Sequence, residues 1–295
     1  MVGFVDHKRG QAWGLLTPML LIMVGVTAWP LVRTIWLSLT SATIGGDPAQ
    51  WVGLDNYLEA IVNKDFQKSL GRTLYFTVVS VGLELVFGLM VGLMLNQPFK
   101  GRAVARALLV LPWALPTVVN AMMWRLIDAP EYGALNGLLF QSGLIDEYRS
   151  WLGDPSIAIE MVILADVWKN YPFVALIVLA ALQTVPEDLY EAARLDGAGP
   201  WTRFLNVTIP GIFGPLSVAV VLRTIEAFKM FDIVYVMTKG GPADTTKPVS
   251  FVVYHEAFSY LRIGSAAAYA ILMAFLSACL IAAYVFLLRK QERRA

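Results

Sequence analysis

The chain has 295 residues, of which 57% are hydrophobic and only 15% charged, and a mean hydropathy of +0.61; this excludes an ordinary soluble domain and makes the bilayer the expected solvent. A net charge of +1 excludes a broad nucleic-acid-binding surface, which needs a concentrated excess of Lys and Arg. Cys279 stands alone in an apolar run and His7 and His255 are the only histidines, so no disulfide framework and no thiolate or zinc site is expected.

Apolar runs long enough to cross about 30 Å of hydrocarbon, which takes about 20 helical residues, fall at 13–38, 70–95, 104–126, 157–184, 212–236 and 264–288. The expected fold is all-α: a polytopic membrane protein with about six transmembrane helices, residues 1–295 forming one transmembrane domain. The first run follows Lys8 and Arg9 but is too long for a signal peptide and lacks a small-x-small cleavage site. In the second run Glu84 is read as a lone charge packed against the bundle, and Gly82, Gly88 and Gly92 as a small-residue face for close helix approach. Arg125, ending the third run, is read as a second lone charge that snorkels to the interface or packs against the bundle.

Lys8, Arg9, Lys100, Arg102, Arg106, Arg194, Arg203, Arg289, Lys290, Arg293 and Arg294 all fall on one side of this pattern. Basic short loops stay cytoplasmic, so both termini are expected inside the cell. The loops 40–69, 127–156 and 238–263 are then external, and their Trp and Tyr residues suit the headgroup level.

Ionisable groups at membrane depth cost about 2.5–3.5 kcal/mol each on insertion scales and usually face a partner or a water-filled path. The fourth run carries Asp166, Trp168, Lys169, Asn170 and Tyr171 before Pro172, which is expected to bend or interrupt the helix. The fifth carries Arg223, Glu226, Lys229 and Asp232 at spacings of three. Two readings stay open. In one, Trp168 and Tyr171 offer an aromatic platform and Lys169, Asn170, Arg223 and Glu226 offer polar contacts along a translocation path. In the other, Asp166 with Lys169, Arg223 with Glu226, and Lys229 with Asp232 are charge pairs that hold helices in register or face a partner subunit.

Between these runs lies a polar stretch, 186–210, PEDLYEAARLDGAGPWTRFLNVTIP. Pro186 suits the first position of a short helix with Glu187 and Asp188 near its positive end. Leu189, Ala192, Ala193 and Leu195 form an apolar strip, Gly197 is suited to stop the helix, and Pro200 to restart the chain. A second short helix carries Trp201, Phe204, Leu205 and Val207 and is expected to end at Thr208-Ile209-Pro210. Such a hairpin suits either a groove on a partner protein or the lipid surface.

Glu191-Ala192-Ala193, three residues, Gly197, nine residues, then Val207-Thr208-Ile209-Pro210 resembles the EAA loop of membrane subunits of binding-protein-dependent ABC importers. Val207 and Ile209 replace the family's Ile and Leu. Val52-Gly53-Leu54-Asp55-Asn56-Tyr57, Thr73-Leu74-Tyr75-Phe76-Thr77, Asp196-Gly197-Ala198, Phe231-Asp232 and Thr238-Lys239-Gly240-Gly241-Pro242 are similar to the carbohydrate-type branch, the maltose and glycerol-phosphate permeases. Arg72 stands where that branch often has Asn.

The resemblance implies a multi-pass inner-membrane permease for a sugar or glycoside of the disaccharide, polyol or glycerol-phosphate class. It implies that Glu191, Ala192, Ala193, Asp196 and Gly197 couple to an ATPase, and it brings as partners a second similar permease, two ATP-binding subunits and an external solute-binding protein. ATP and magnesium would sit on the ATPase subunits, since no GxxxxGK followed by Ser or Thr occurs in this chain. No enzymatic role, cofactor or metal is expected here. An importer for a different solute, an ion-coupled secondary carrier and a membrane-embedded enzyme are the alternatives, in that order.

Overall fold

A backbone in lipid must pair its own N–H and C=O groups, which leaves helices as the way for apolar runs of this kind to cross. The computed structural model describes Trp13 and residues 16–292, and among the described residues its apolar runs are helical except for breaks at 115–116 in the third and 229–231 in the fifth. His7, Lys8, Arg9, Arg293 and Arg294 lie outside the described residues, as do the side chains of Arg289 and Lys290. The helices are α1 (Leu16–Ser38), α2 (Asp55–Val62), α3 (Lys64–Asn96), α4 (Arg102–Ala114), α5 (Thr117–Ile127), α6 (Ala134–Gln141), α7 (Ala158–Leu182), α8 (Glu187–Leu195), α9 (Pro200–Phe228), α10 (Asp232–Met237), α11 (Val249–Tyr254) and α12 (Ile263–Glu292). Five are long and apolar enough to cross a membrane, and α4 with α5 makes a sixth if that bent pair is one span.

The chain forms two compact units: residues up to Phe66 with Val252–Phe275, and Gln67–Phe251 with the chain from Leu276 onward. In the first, the buried Asn56 donates from Nδ2 to the carbonyls of Ser38 (2.8 Å) and Thr40 (2.9 Å), and Ser38 Oγ bonds Tyr57 Oη at 2.6 Å. Gly264 lies so close to Thr40 that a Cβ would sit 2.0 Å from its carbonyl oxygen. Arg262 closes this unit with Glu256 (2.8 Å) and Glu59 (3.7 Å).

In the second unit α3 packs on α7 through two glycines. A Cβ on Gly88 would lie 2.6 Å from the Val174 side chain, and one on Gly92 2.7 Å from that of Val178, whereas Gly82 faces open space. The small-residue face therefore consists of Gly88 and Gly92, one turn apart.

Prolines decide where these helices break, and three expectations change. The third run is not a straight span: α4 and α5 meet at 95°. Leu115, preceding Pro116, is pushed out of the helical region to φ −69°, ψ 136°, because the proline ring clashes with the residue before it. Conversely, Pro172 does not interrupt α7, which runs unbroken over 25 residues. Burial of 61% of its central window against neighbouring helices outweighs the roughly 3 kcal/mol that an internal proline costs. Pro210 does not end a second short helix either. A π-turn at Phe204–Thr208, in which Ile209 N–H bonds the Phe204 carbonyl, leads straight into the membrane-spanning part of α9. The wider turn accommodates a residue with no N–H to give, and Val24–Ala28 precedes Pro30 in the same way.

The segment after α5 is folded around Asn136. Its Nδ2 donates to the carbonyls of Ala129 (3.3 Å), Pro130 (3.3 Å) and Arg149 (2.9 Å), and its Oδ1 accepts from Arg149 N–H (3.1 Å) and Trp151 Nε1 (2.9 Å). Asp128 at the start of this clasp is fully buried, and among the described residues neither carboxylate oxygen finds a donor. Burial alone pushes its carboxyl from the ordinary 3.8 up to about 6. A raised folded-state pKa contributes stability that is complete below the unfolded value and is lost as pH rises through the folded value. Asp128→Asn is therefore expected to raise the thermal midpoint of the purified protein above pH 6, by up to about 3 kcal/mol equivalent, with the gain vanishing near pH 4. Equal midpoints for wild type and variant across that range would contradict it.

Candidate translocation cavity and coupling hairpin

Three helices of the second unit each bring acidic or basic side chains to one place at membrane depth. Arg223 of α9 is 4% exposed, and its guanidinium makes a bidentate pair with Glu84 of α3, Nε to Oε2 at 2.6 Å and Nη2 to Oε1 at 2.9 Å. Its Nη1 reaches Glu226, and Nη2 lies 3.5 Å from Asp166 of α7. Ser80 Oγ donates to Asp166 (2.6 Å) and Glu84 (3.2 Å), and Asn170 Nδ2 donates to the other Asp166 oxygen at 2.8 Å. A desolvated charge is tolerated only when paired and hydrogen-bonded, and the forked guanidinium suits this three-carboxylate cradle. Glu84, expected to be a lone charge, is thus the principal partner of Arg223. Arg125, the other one, donates to the Val236 carbonyl at 3.4 Å.

Above this network lies a cavity of about 400 Å³, lined by Asp166, Lys169 and Asn170 from α7, by Arg223 and Glu226 from α9, and by the break at Lys229–Phe231. Glu226 is the carboxylate of the cradle that faces outward, with its side chain 66% exposed. Of the two charge pairs expected beside it, Asp166 turns to Arg223 instead of Lys169, while Lys229 and Asp232 both line the cavity.

Four of the six path residues read from sequence therefore come together: Lys169, Asn170, Arg223 and Glu226. Trp168 and Tyr171 do not join them. Trp168 packs edge-on against Trp124 (6.1 Å) and Tyr171 against Phe87 (6.4 Å). Helical spacing explains the split, because residues 166, 169 and 170 share a face that 168 and 171 do not. The aromatic walls come instead from Trp113, just before the α4–α5 corner, and Phe231, at the break after α9. Sequence reasoning missed Ser80, Glu84, Trp113 and Phe231 as a group. The one legible signal was Ser80 and Glu84, one helical turn apart within an apolar run.

The second feature is the hairpin. α8 begins at Glu187 with Pro186 as its N-cap rather than its first residue. Gly197 takes φ +79°, Ala198 N–H bonds the Ala193 carbonyl at 2.9 Å and Gly197 N–H that of Arg194 at 3.0 Å, a Schellman stop that needs a left-handed residue. Glu191, Ala192, Asp196 and Gly197 are exposed and Ala193 is half-buried. Leu195 is 89% and Trp201 69% exposed. The hairpin is held back to the membrane helices at two points: Tyr190 Oη bonds Thr208 Oγ1 at 3.1 Å, and a Cβ on Gly211 would lie 2.8 Å from the Val185 side chain.

Helices long and apolar enough to cross a membrane, a polar cavity lined from α7 and α9, and an exposed amphipathic hairpin between those two helices define a transport permease. The chain belongs to the family described as binding-protein-dependent transport system inner membrane component, whose model matches residues 84–293. It is accordingly an integral inner-membrane protein and a transport component rather than an enzyme. The trehalose/maltose transport system permease protein MalF of Thermococcus litoralis is 40% identical over 250 residues, covering 85% of this chain and 83% of that protein. The sulfoquinovosyl glycerol transport system permease protein SmoG of Agrobacterium fabrum is 34% identical over 279 residues, covering 94% and 90%. The fold matches a chain of a bacterial ABC transporter that imports the acidic polysaccharide alginate, with a TM-score of 0.83 at 22% identity over 98% of this chain and 99% of that one.

Removing one partner of a buried charge pair strands the other, a loss of about 3–5 kcal/mol, whereas an exposed pair contributes about 0–1 kcal/mol. Glu84→Ala is therefore expected to lower the thermal midpoint in detergent by about six degrees or more or to prevent accumulation, and Glu226→Ala to leave it within about three degrees. Equal effects of the two would contradict the cradle.

Proposed function

We propose that this chain, folded as one transmembrane domain, is a permease subunit of an ATP-driven importer for a sugar or glycoside of the disaccharide, polyol or glycerol-phosphate class. The observation that carries the reading is the juxtaposition of a polar, aromatic-walled cavity with one continuous helix that ends in the exposed hairpin. The named relatives, permeases for trehalose/maltose and sulfoquinovosyl glycerol, support a carbohydrate. The cavity volume lies within the range of small-molecule sites, about 300–1,000 Å³, and a second similar permease would complete its open side.

In this reading both termini and the hairpin are cytoplasmic, as the distribution of Lys and Arg indicates. The hairpin docks in a cleft of an ATPase subunit through Glu191, Ala192, Ala193, Asp196 and Gly197. Two ATPase subunits bind ATP and magnesium, and an external solute-binding protein delivers the sugar. Closure of the ATPase pair moves the hairpin, and α9 carries that movement inward. From Trp201 to Arg223 is 22 residues of helix, about 33 Å, with the π-turn at Phe204–Thr208, Pro210 and Pro215 within it. Sugar hydroxyls exchange water for Asn170, Lys169 and the outward oxygens of Glu226, while Trp113 and Phe231 cover the apolar ring face. No bond of the substrate is made or broken.

The test uses the assembled importer in membrane vesicles. Asn170→Ala is expected to raise the sugar concentration for half-maximal uptake at least fivefold, and Trp168→Ala to change it less than twofold. Glu191→Lys is expected to abolish both uptake and recovery of the ATPase with the tagged permease. Wild-type uptake with Asn170→Ala would remove α7 from the path, and an unaffected Glu191→Lys would remove the hairpin from coupling.

A further inference from the structure

A second cleft, of about 660 Å³, lies between the end of α5, the chain that follows it and Met237 at the end of α10. In the proposed orientation it opens outside the cell. Its walls are largely apolar, from Met122, Leu126, Leu152 and Met237, with Ser150 at one side, and Tyr132, 71% exposed, also lines it. The buried, unpartnered Asp128 also lines this cleft. Arg125, the basic residue of the lining, donates from Nη1 to the Val236 carbonyl at 3.4 Å. Residues 127–156 carry five acids, Asp128, Glu131, Asp146, Glu147 and Asp154, against Arg149 alone, a net charge of −4. The Asn136 clasp fixes this wall from both sides of α6.

A carboxylate that has lost its water and gained no donor calls for a cation. The shape identifies which kind. Apolar walls leading to a buried charge match a side chain with a methylene stem and a charged tip, and Tyr132 offers a ring face to such a group. Among the described residues no group of three or more His, Cys, Asp or Glu is placed to hold a metal ion. We infer that the cleft beside Asp128 is the socket for a Lys or Arg side chain of the external solute-binding protein, which docks through that contact on the acidic 127–156 face. The inference rests on the importer reading. It also gives the unpaired carboxylate a use: the free permease is less stable for having it, and the docked complex is tighter.

The complete importer in proteoliposomes, with the purified binding protein of the same system added at increasing concentration, tests this through ATP hydrolysis. Asp128→Asn is expected to raise the half-saturating concentration of binding protein at least tenfold, as loss of a desolvated charge partner does, and to flatten its dependence on sodium chloride. Glu131→Gln, an exposed acid of the same face, is expected to shift it less than twofold. Because Asp128→Asn is expected to be more heat-stable at pH 7.5, weaker docking would not reflect misfolding. An unchanged half-saturation overturns the socket, as does an equal shift for Glu131→Gln, or a loss of the second permease on purification with binding-protein affinity intact. If no binding protein stimulates wild-type hydrolysis, it is the importer reading that fails.

Discussion

The arginine at position 223 is the constraint from which most of the second unit follows. A guanidinium cannot be deprotonated at membrane depth and presents five N–H groups in a fixed fork. Its burial therefore dictates where carboxylates must stand. Glu84 meets the fork squarely from α3, and Asp166 adds a third helix at longer range. Ser80 then donates to the Asp166 oxygen that Arg223 approaches, and Asn170 to the other one. Such a network is weak evidence for stability, since apolar residues of equal volume often serve as well. What it provides is register. With Gly88 and Gly92 setting the approach of α3 to α7, the charges fix which faces of α7 and α9 turn toward the cavity.

That placement connects the cavity to the hairpin. Glu226 and Arg223 lie on the same helix as Trp201, in which a π-turn precedes Pro210. Tyr190 with Thr208 and Val185 with Gly211 tie the hairpin to the base of that helix. These contacts join the hairpin to the helix that carries Arg223 and Glu226.

The sequence made the hairpin legible nearly residue by residue because its signals are local: acids at a helix start, Gly197 at a left-handed stop, Pro200 at a restart. The membrane runs were legible for the same reason, since length and apolarity are properties of a single segment. The three prolines were not. Pro116 breaks a helix, Pro172 sits inside one and Pro210 is absorbed by a π-turn, and the difference lies in what packs around each rather than in the residue. Glu84 was misread because a lone charge in one run says nothing about an arginine 139 residues away. Trp168 and Tyr171 were drawn into the path by composition, whereas a helical wheel anchored on Asp166 and Asn170 separates them. Asp128 carried no signal at all, because nothing in DAPEYGALN indicates that its carboxylate is buried and meets no donor among the described residues.

The most direct test of the cradle is a double-mutant cycle between its two best-paired members, read as the unfolding free energy of the purified chain. Arg223→Gln leaves the buried Glu84 and Asp166 without a cation, Glu84→Gln leaves Arg223 with Asp166 and Glu226, and the double variant leaves Asp166 held by Ser80 and Asn170. The double variant is expected to be more stable than Arg223→Gln alone, with a coupling energy of about 2 kcal/mol or more. Single losses that add to within about 0.5 kcal/mol would show that the two side chains act independently and that Arg223 does not set the register of the bundle.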